Sequence, residues 1–386
     1  MPLARHEDVL PLLRAPSGSS VLINQRLFSD AASNGTIPVL LDFEKSVVDA
    51  PEAGQIIASQ IDRQNFSGLA RWIKKVLSPT SDITLRNVEY LATLLRTQIK
   101  KPKVLVIGGG SVGKGMHVLY NDPNIQIVAF DIYQTGNIHF VADAHDIPLK
   151  DECVHGVVVQ AVLEHVIDPG KVVSEIHRVL KFGGFVYAET PFMQQVHEGP
   201  YDFTRFTESG HRHLFKSFDL LESGSNGGPG TQFMWSVEHL IRGLFRSKTA
   251  GRLAKLCVFW AQYLDHLIPE NYSIDGASGV YFLGKKSSSS LSPKDTVKHY
   301  KGAQTFSATV SRRTAFFQPS APTPDPTNFP NAQTYNRHCQ VVCQRLQRAV
   351  AGAVRRSTLG HSHSRDRARP IGRGGRKWKR GDSGGV

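Results

Sequence analysis

Between residues 100 and 302 the chain alternates short apolar runs with stretches in which apolar residues recur at helical spacing. Residues 104–107, 125–130, 154–160 and 185–189 are rich in Val, Ile and Phe and are bounded by Gly, Asp or Pro. Such runs predict strands buried on both faces. Helical patterns lie between most of them. In 170–180, Val172, Val173, Ile176, Val179 and Leu180 fall on one face. Buried strands alternating with helices imply right-handed βαβ units, so the expected class is α/β with a doubly wound, mostly parallel sheet. Two later strands, 218–222 and 280–283, flank a long apolar helical insertion over 234–267. Residues 46–99 read as a helical connector: Pro51 and Glu52 open it, Ile56, Ile57, Ile61, Leu69, Trp72, Ile73 and Val76 recur at helical spacing, and 88–99 repeats the pattern.

Composition narrows the picture. The chain has 386 residues, 40% of them apolar and 20% charged, enough for a real core. No apolar run reaches the roughly 18 to 20 residues that cross a bilayer. The first residues hold acids and no long apolar stretch, so a secretory signal is not expected. Four scattered cysteines suit a reducing compartment, and the expected location is cytoplasmic. The net charge of +13 is unevenly spread: fifteen of the 46 bases and three of the 33 acids lie in 303–386. That leaves 31 bases against 30 acids in the first 302 residues, too balanced for a nucleic-acid groove on the body. The segment after Lys285 begins with a serine-rich linker at 287–290, and 303–386 is rich in Pro, Ser, Arg and Gly. A disordered basic tail is expected there, open to nonspecific anion binding, with a short helix around 339–354 as its one apolar element. The expected division is thus 1–45, a small N-terminal unit; 46–99, the connector; 100–286, the main domain; and 287–386, linker and tail.

The sharpest local signal is the turn after the first strand. Gly108, Gly110 and Gly113 fit G-x-G-x-x-G between a strand and a helical run at 116–120. Glycines permit the tight turn and a close backbone approach to a ligand. Asp131 ends the next strand, where an acid binds two ribose hydroxyls. Nucleotide-type binding follows, although the turn alone does not separate a nicotinamide dinucleotide from S-adenosylmethionine, since both carry adenosine.

The segment that follows does separate them. It contains D-A-x-x-I-P at 143–148, V-L-E-H-V-x-D-P at 162–169 and R-V-L-K-x-G-G at 178–184. In this order and spacing, over roughly 100–225, the chain resembles the class I S-adenosylmethionine-dependent methyltransferases, in particular the group acting on small molecules, lipids and sugars. The resemblance implies a seven-stranded Rossmann-like sheet with a reversed last strand and S-adenosyl-L-methionine as cofactor. It implies that Gly108, Gly110 and Gly113 cradle the methionine end and ribose, Asp131 binds the ribose hydroxyls and Ile132 packs on adenine. Asp143 would accept from the adenine amino group with the Ala144 backbone beside it, and Gln160 and Ala161 would lie near the methionine moiety. One departure stands out: Val106 occupies a first-strand position that is acidic in many members, so the cofactor's ammonium needs another partner.

On the substrate side, 191–207 leaves the fifth strand's carboxyl end, where ligands of doubly wound folds sit. Related methyltransferases carry a similar H-x-x-P-x-D-x-x-R-x-T stretch. His197 and Arg205 are the catalytic candidates, Tyr201 and Asp202 the substrate contacts. The competing reading is that Asp202 and Arg205 pair to shape the loop and that Thr207 caps the helix 208–215, with His211 and His213 on its surface. Glu164 and His165 invite a proton-transfer role, but fixing the loop by hydrogen bonds is the reading preferred. Methyl transfer from a sulfonium is an in-line displacement in which alignment does most of the work, so a conspicuous base is not required.

Residues 12–20 and 35–42 resemble the zinc-ribbon activator subunits of tRNA methyltransferases, with Ala15 and Gly18 in place of the first cysteine pair. With no cysteine before Cys153, thiolate zinc is excluded for this unit. A metal-free docking module is the expectation, an unrelated hairpin the alternative. His338, Cys339, Cys343, His361 and His363 fit no finger spacing, and no metal is expected. The reading is therefore a methyltransferase for a small-molecule, lipid or saccharide acceptor. The alternatives are a noncatalytic partner protein of the same fold and, less favoured for want of a Tyr-x-x-x-Lys element, a nicotinamide oxidoreductase. The insertion 234–267 is open to three roles: substrate lid, dimer surface or peripheral membrane contact.

Overall fold

The computed structural model describes residues 3–14, 37–49 and 81–304. All of them fall in one compact unit, Met1–Phe306. Seven strands form one sheet: β1 (Lys103–Ile107), β2 (Gln126–Asp131), β3 (Phe140–Val141), β4 (Val154–Gln160), β5 (Leu180–Pro191), β6 (Phe218–Gly227) and β7 (Gly279–Lys286), in the order β3-β2-β1-β4-β5-β7-β6. The first five are parallel; β7 runs antiparallel between β5 and β6. This is the doubly wound, mostly parallel seven-stranded sheet with the reversed last strand that the sequence leads one to expect. The two-residue β3 lacks the apolar run that marked the others, which is why the sequence pattern passes over it.

Side-chain alternation along the strands builds two cores. Leu105, Ile107, Val128, Phe130, Val157 and Val159 face one side with Val172, Ile176 and Val179 of the helix Pro169–Val179. Val104, Val106, Ile127, Ala129 and Val158 face the other, under Val88, Leu91, Ala92 and Leu95 of the helix Asp82–Gln98. Each such fully buried Val, Leu or Ile side chain contributes roughly 1.5–3 kcal/mol. Arg178, from the R-V-L-K stretch, ties the helix Pro169–Val179 to the segment that follows β3. It pairs with Glu175 at 2.7 Å and donates to the carbonyls of Ile147 and Leu149 at 2.8 and 2.7 Å.

Three expected boundaries shift. The N-terminal residues are part of the domain: Val9, Leu12, Leu13 and Leu40 lie in the same core as Phe130 and Phe140. Ala4 and Leu40 donate to the carbonyls of Ile127 and Val141, both at 2.8 Å, and Val39 bridges to Val141 beyond the sheet edge. Apolar side chains at these positions cost too much exposed to leave the segment as a free module. Residues 15–36, which hold part of the ribbon-like pattern, and 50–80, which hold most of the expected connector, lie outside the described residues. The linker expected from 287 is packed through 304: Leu291 donates to Lys216 O at 2.8 Å, His299 meets Glu208 at 2.7 Å and Lys301 donates to Ser223 O at 2.9 Å. The tail 305–386 and its expected helix lie outside the described residues. The insertion is three helical pieces, Pro229–Leu244, Lys248–Cys257 and the 3-10 segment Phe259–Leu267, the first starting before the expected 234.

Candidate functional site

The strand order reverses between β1 and β4, so the carboxyl ends of β1, β2 and β4 open a crevice. Gly108, directly after β1, has φ +74°, and a Cβ there would lie 2.4 Å from Val162 Cγ2. Only glycine suits both the left-handed conformation and the space. Gly110 N donates to Asp131 Oδ2 at 2.8 Å and Tyr133 N to Asp131 Oδ1 at 3.2 Å. The glycine turn and the end of β2 therefore fix one carboxylate from both sides, at 8% exposure. Gly113 serves a different contact: a Cβ there would sit 1.9 Å from Gln160 Oε1. Gln160 Nε2 in turn donates to Glu189 Oε2 at 2.7 Å and to Lys114 O at 3.1 Å. The helix after the turn is a single turn, His117–Tyr120, so glycine backbone rather than a long helix dipole dominates there.

Asp143 accepts from His145 N at 2.9 Å and faces His145 Nδ1 at 2.5 Å. His145 Nε2 accepts from Asp168 N at 3.0 Å, and Asp168 caps the helix Pro169–Val179 through Lys171 N. The D-A-x-x-I-P and V-x-D-P stretches thus meet in one network. Burial pushes the Asp143 carboxyl up, but hydrogen bonds from His145 prevail and hold it below its ordinary value. The same bond raises His145. Ala161, just past β4, has φ +54°, a strained conformation for an alanine, held by its N–H on Glu189 O at 3.0 Å.

One cavity is lined by Gly108, Asp131, Ile132, Asp143, Ala144 and Ala161. Of the expected cofactor contacts, Gly110, Gly113 and Gln160 are not in this lining; Gly110 bears on it through its bond to Asp131. The cavity also takes in Val47, Tyr133, His145, Val162, His165, Val166, Ile167 and Glu198. Tyr133 and His145 each lie two residues beyond an expected cofactor contact, Asp131 and Asp143, so they are legible in the sequence. Val47 has no local signal, because only folding brings it to this crevice.

The loop 197–207 presents a different picture for Arg205. Its guanidinium pairs with both oxygens of Asp202, and donates to Gln194 O at 2.9 Å and Thr204 O at 2.9 Å. Asp202, its side chain 1% exposed, also accepts from His197 N at 3.0 Å. Burial alone would raise Asp202, but Arg205 and His197 outweigh it and hold the carboxyl at about 2. Arg205 and Asp202 therefore shape the loop, the competing reading of the sequence. Tyr201 contributes its carbonyl, which takes His165 Nδ1 at 2.8 Å. Glu164 is buried, and burial pushes its carboxyl up to about 8. Burial lowers both His165 and His197. Thr207 caps its helix through Gly210 N, as expected. His211, expected at the surface, is 1% exposed among Phe206, Phe215 and Phe282, because Glu208, His211 and Arg212 share the inward face of that short helix.

Residues 108–188 match a family model described as a methyltransferase domain. None of the curated proteins matches the chain. Among solved structures, the chain is similar to a Galdieria sulphuraria protein provisionally described as a sarcosine dimethylglycine methyltransferase. The identity is 18%, over 56% of this chain and 97% of that one, with a TM-score of 0.37. It is also similar to Haemonchus contortus phosphoethanolamine N-methyltransferase 2 in complex with S-adenosyl-L-methionine, at 14% identity over 58% and 59% of the two chains, with a TM-score of 0.38. Among the described residues no helix is long and apolar enough to cross a membrane.

Proposed function

We propose that this chain, with its methyltransferase domain over residues 108–188, is an S-adenosyl-L-methionine-dependent methyltransferase acting on a small-molecule, lipid or saccharide acceptor. The observation that carries the reading is the crevice beside the glycine turn, where Asp131, anchored by Gly110 N and Tyr133 N, shares a cavity with Gly108 and Ala161. The residues fit the cofactor: a carboxylate pre-set for a ribose diol, Ile132 for an adenine face, and Asp143 with a charge kept by His145 for an amino group. S-adenosyl-L-methionine, when bound, supplies a methyl group activated by a sulfonium.

The chain's own residues then orient and shield. Asp131 keeps its two oxygens in place without rearrangement, because both already accept backbone N–H groups. Gln160, held on Glu189 and seated against Gly113, is the candidate partner for the ammonium that Val106, buried in the core, does not meet. His197 and Tyr201 stand at the acceptor side, and Arg205 and Asp202 act as positioning residues for them. The insertion 229–267 is proposed as the contact to a second copy or a membrane surface, on the strength of Leu240, Leu244, Phe245 and Leu253, each more than half exposed. The cytoplasm is the proposed location.

A noncatalytic relative remains the second reading, favoured by Val106. Calorimetry with S-adenosyl-L-methionine, S-adenosylhomocysteine and NADH, followed by a methyl-transfer assay over hydroxyl, amine and carboxylate acceptors, tests the proposal. Binding of the first two with turnover of one acceptor class supports it; binding without turnover of any supports the noncatalytic reading; binding of NADH alone contradicts both.

A further inference from the structure

Glu164, His165 and His197 bring one carboxylate and two imidazoles to one point, with a ligand atom from each within 4.8 Å of the others. Glu164 and His165 come from the turn Leu163–His165 after β4; His197 comes from the loop after β5. That loop is stitched to the turn, since Phe203 N and Thr204 N both donate to Glu164 O, at 2.8 and 3.2 Å.

The orientation of each imidazole is set by its other nitrogen. His165 Nδ1 faces the Tyr201 carbonyl at 2.8 Å. A carbonyl accepts and does not donate, so Nδ1 carries the hydrogen and Nε2 a lone pair. His197 Nδ1 lies 3.3 Å from Asp202 Oδ2 and 3.4 Å from Gln195 O, two acceptors again, which leaves the lone pair on its Nε2. A carboxylate or carbonyl behind each ring is the arrangement that orients metal-binding histidines. His165 Nε2 makes no hydrogen bond and lies 3.6 Å from Glu164 Oε1 and 3.4 Å from Glu198 Oε2. Glu164, 1% exposed, keeps its Oε2 buried without a hydrogen-bond partner. The His165 lone pair and the unpartnered Glu164 carboxyl, side by side and buried, call for a shared proton or a metal cation.

We propose that Glu164, His165 and His197 form a binding site for a divalent first-row transition-metal cation at the rim of the cavity. Two imidazoles and one carboxylate suit such a cation better than Mg²⁺ or Ca²⁺, which take oxygen ligands. Three protein ligands leave coordination positions open. His165 and Glu198 line the same cavity as Gly108 and Ala161, so those positions face the space assigned to methyl transfer. The oxygen of a hydroxyl or carboxylate acceptor would occupy one of them; that part rests on the methyltransferase reading, while the metal site does not. The absence of any metal signal in the sequence follows from the spacing: His197 is 32 residues beyond His165, across a whole strand.

The test is a titration of the full, metal-free chain with Co²⁺, read by its visible ligand-field absorption and by calorimetry, with no cofactor present. The site predicts one equivalent bound with a spectrum of nitrogen and oxygen ligands, and a shift of that spectrum when azide fills an open position. His197→Ala and Glu164→Gln should each weaken Co²⁺ binding at least about tenfold, roughly 1.4 kcal/mol. His213→Ala, on an exposed histidine of the helix Glu208–Leu214, should leave it unchanged. If Glu164→Gln does not fold, His197→Ala decides, since its side chain is partly exposed on a loop. No bound Co²⁺, or equal affinity in all variants, overturns the site; a spectrum indifferent to azide overturns the acceptor position. Co²⁺ binding without S-adenosyl-L-methionine binding would remove the proposed function and leave the metal site standing.

Discussion

Asp131 carries the cofactor argument at the level of single residues. Its oxygens are fixed by Gly110 N and Tyr133 N before any ligand arrives. Asp131→Ala should weaken S-adenosyl-L-methionine binding by more than about 1.5 kcal/mol, because a charged acceptor for two hydroxyls is lost. Calorimetry on the folded variant measures this. Asp202 makes a second prediction, about stability. Its folded carboxyl sits near 2, below the ordinary value of about 3.9. A depressed carboxyl contributes stability that is present above its unfolded value and lost as pH falls toward the folded one. The wild type should therefore lose more stability than Asp202→Asn between about pH 4 and pH 2, read by urea unfolding across that range. The same pair predicts a coupling: losses from Asp202→Ala and Arg205→Ala should be strongly non-additive in a double-mutant cycle. Asp131 was legible in the sequence because strand, turn and acid are adjacent in the chain. The bonding of Arg205 was not, because its partners Gln194 and Asp202 are settled by how the loop turns back on itself.

Elements were legible to the extent that their periodicity was unbroken. β1, β2, β4 and β5 and the helix Pro169–Val179 follow directly from apolar runs and a shared face. β3 escapes because two residues have no period, and β5 extends to both sides because pairing with β4 and β7 recruits Leu180 and Pro191. The insertion reads as one long helix in sequence, yet it folds back on itself. Asp265 closes it by accepting from Gly230 N at 2.6 Å and from Thr231 N and Oγ1 at 3.0 and 2.7 Å, capping the helix Pro229–Leu244. A Cβ at Gly230 would come within 2.1 Å of Ala261 O, a backbone atom that has no rotamer to retreat into. Gly230→Ala should cost about 1–3 kcal/mol through overpacking, seen as a lower midpoint in thermal unfolding. Gly113→Ala meets the movable end of Gln160 instead. It should spare the midpoint and weaken cofactor binding, since Gln160 must leave its place beside the turn.

The whole molecule depends on contacts that no local pattern announces. Leu3 and Val39 reach β2 and the sheet edge from a segment that the sequence alone set apart as a small unit, and Val47 reaches the crevice from the expected connector. At the other end, Ala303 N on Asp275 at 3.0 Å and Gln304 N on Tyr300 at 3.1 Å carry the packed body to 304. Fifteen bases against three acids, with little to bury, set 303–386 apart in composition. A chain ending at Gln304 should keep its thermal midpoint and bind S-adenosyl-L-methionine within about threefold of the full chain, roughly 0.7 kcal/mol. The central claim is that the crevice between β1 and β4 takes S-adenosyl-L-methionine through Asp131. One calorimetric comparison tests it most directly: the full chain and Asp131→Ala, each titrated with S-adenosyl-L-methionine and with NADH. The account predicts one equivalent of S-adenosyl-L-methionine on the wild type, more than about tenfold weaker binding to the folded variant, and no heat from NADH. Equal affinity in both proteins, or saturable binding of NADH in place of S-adenosyl-L-methionine, would contradict it.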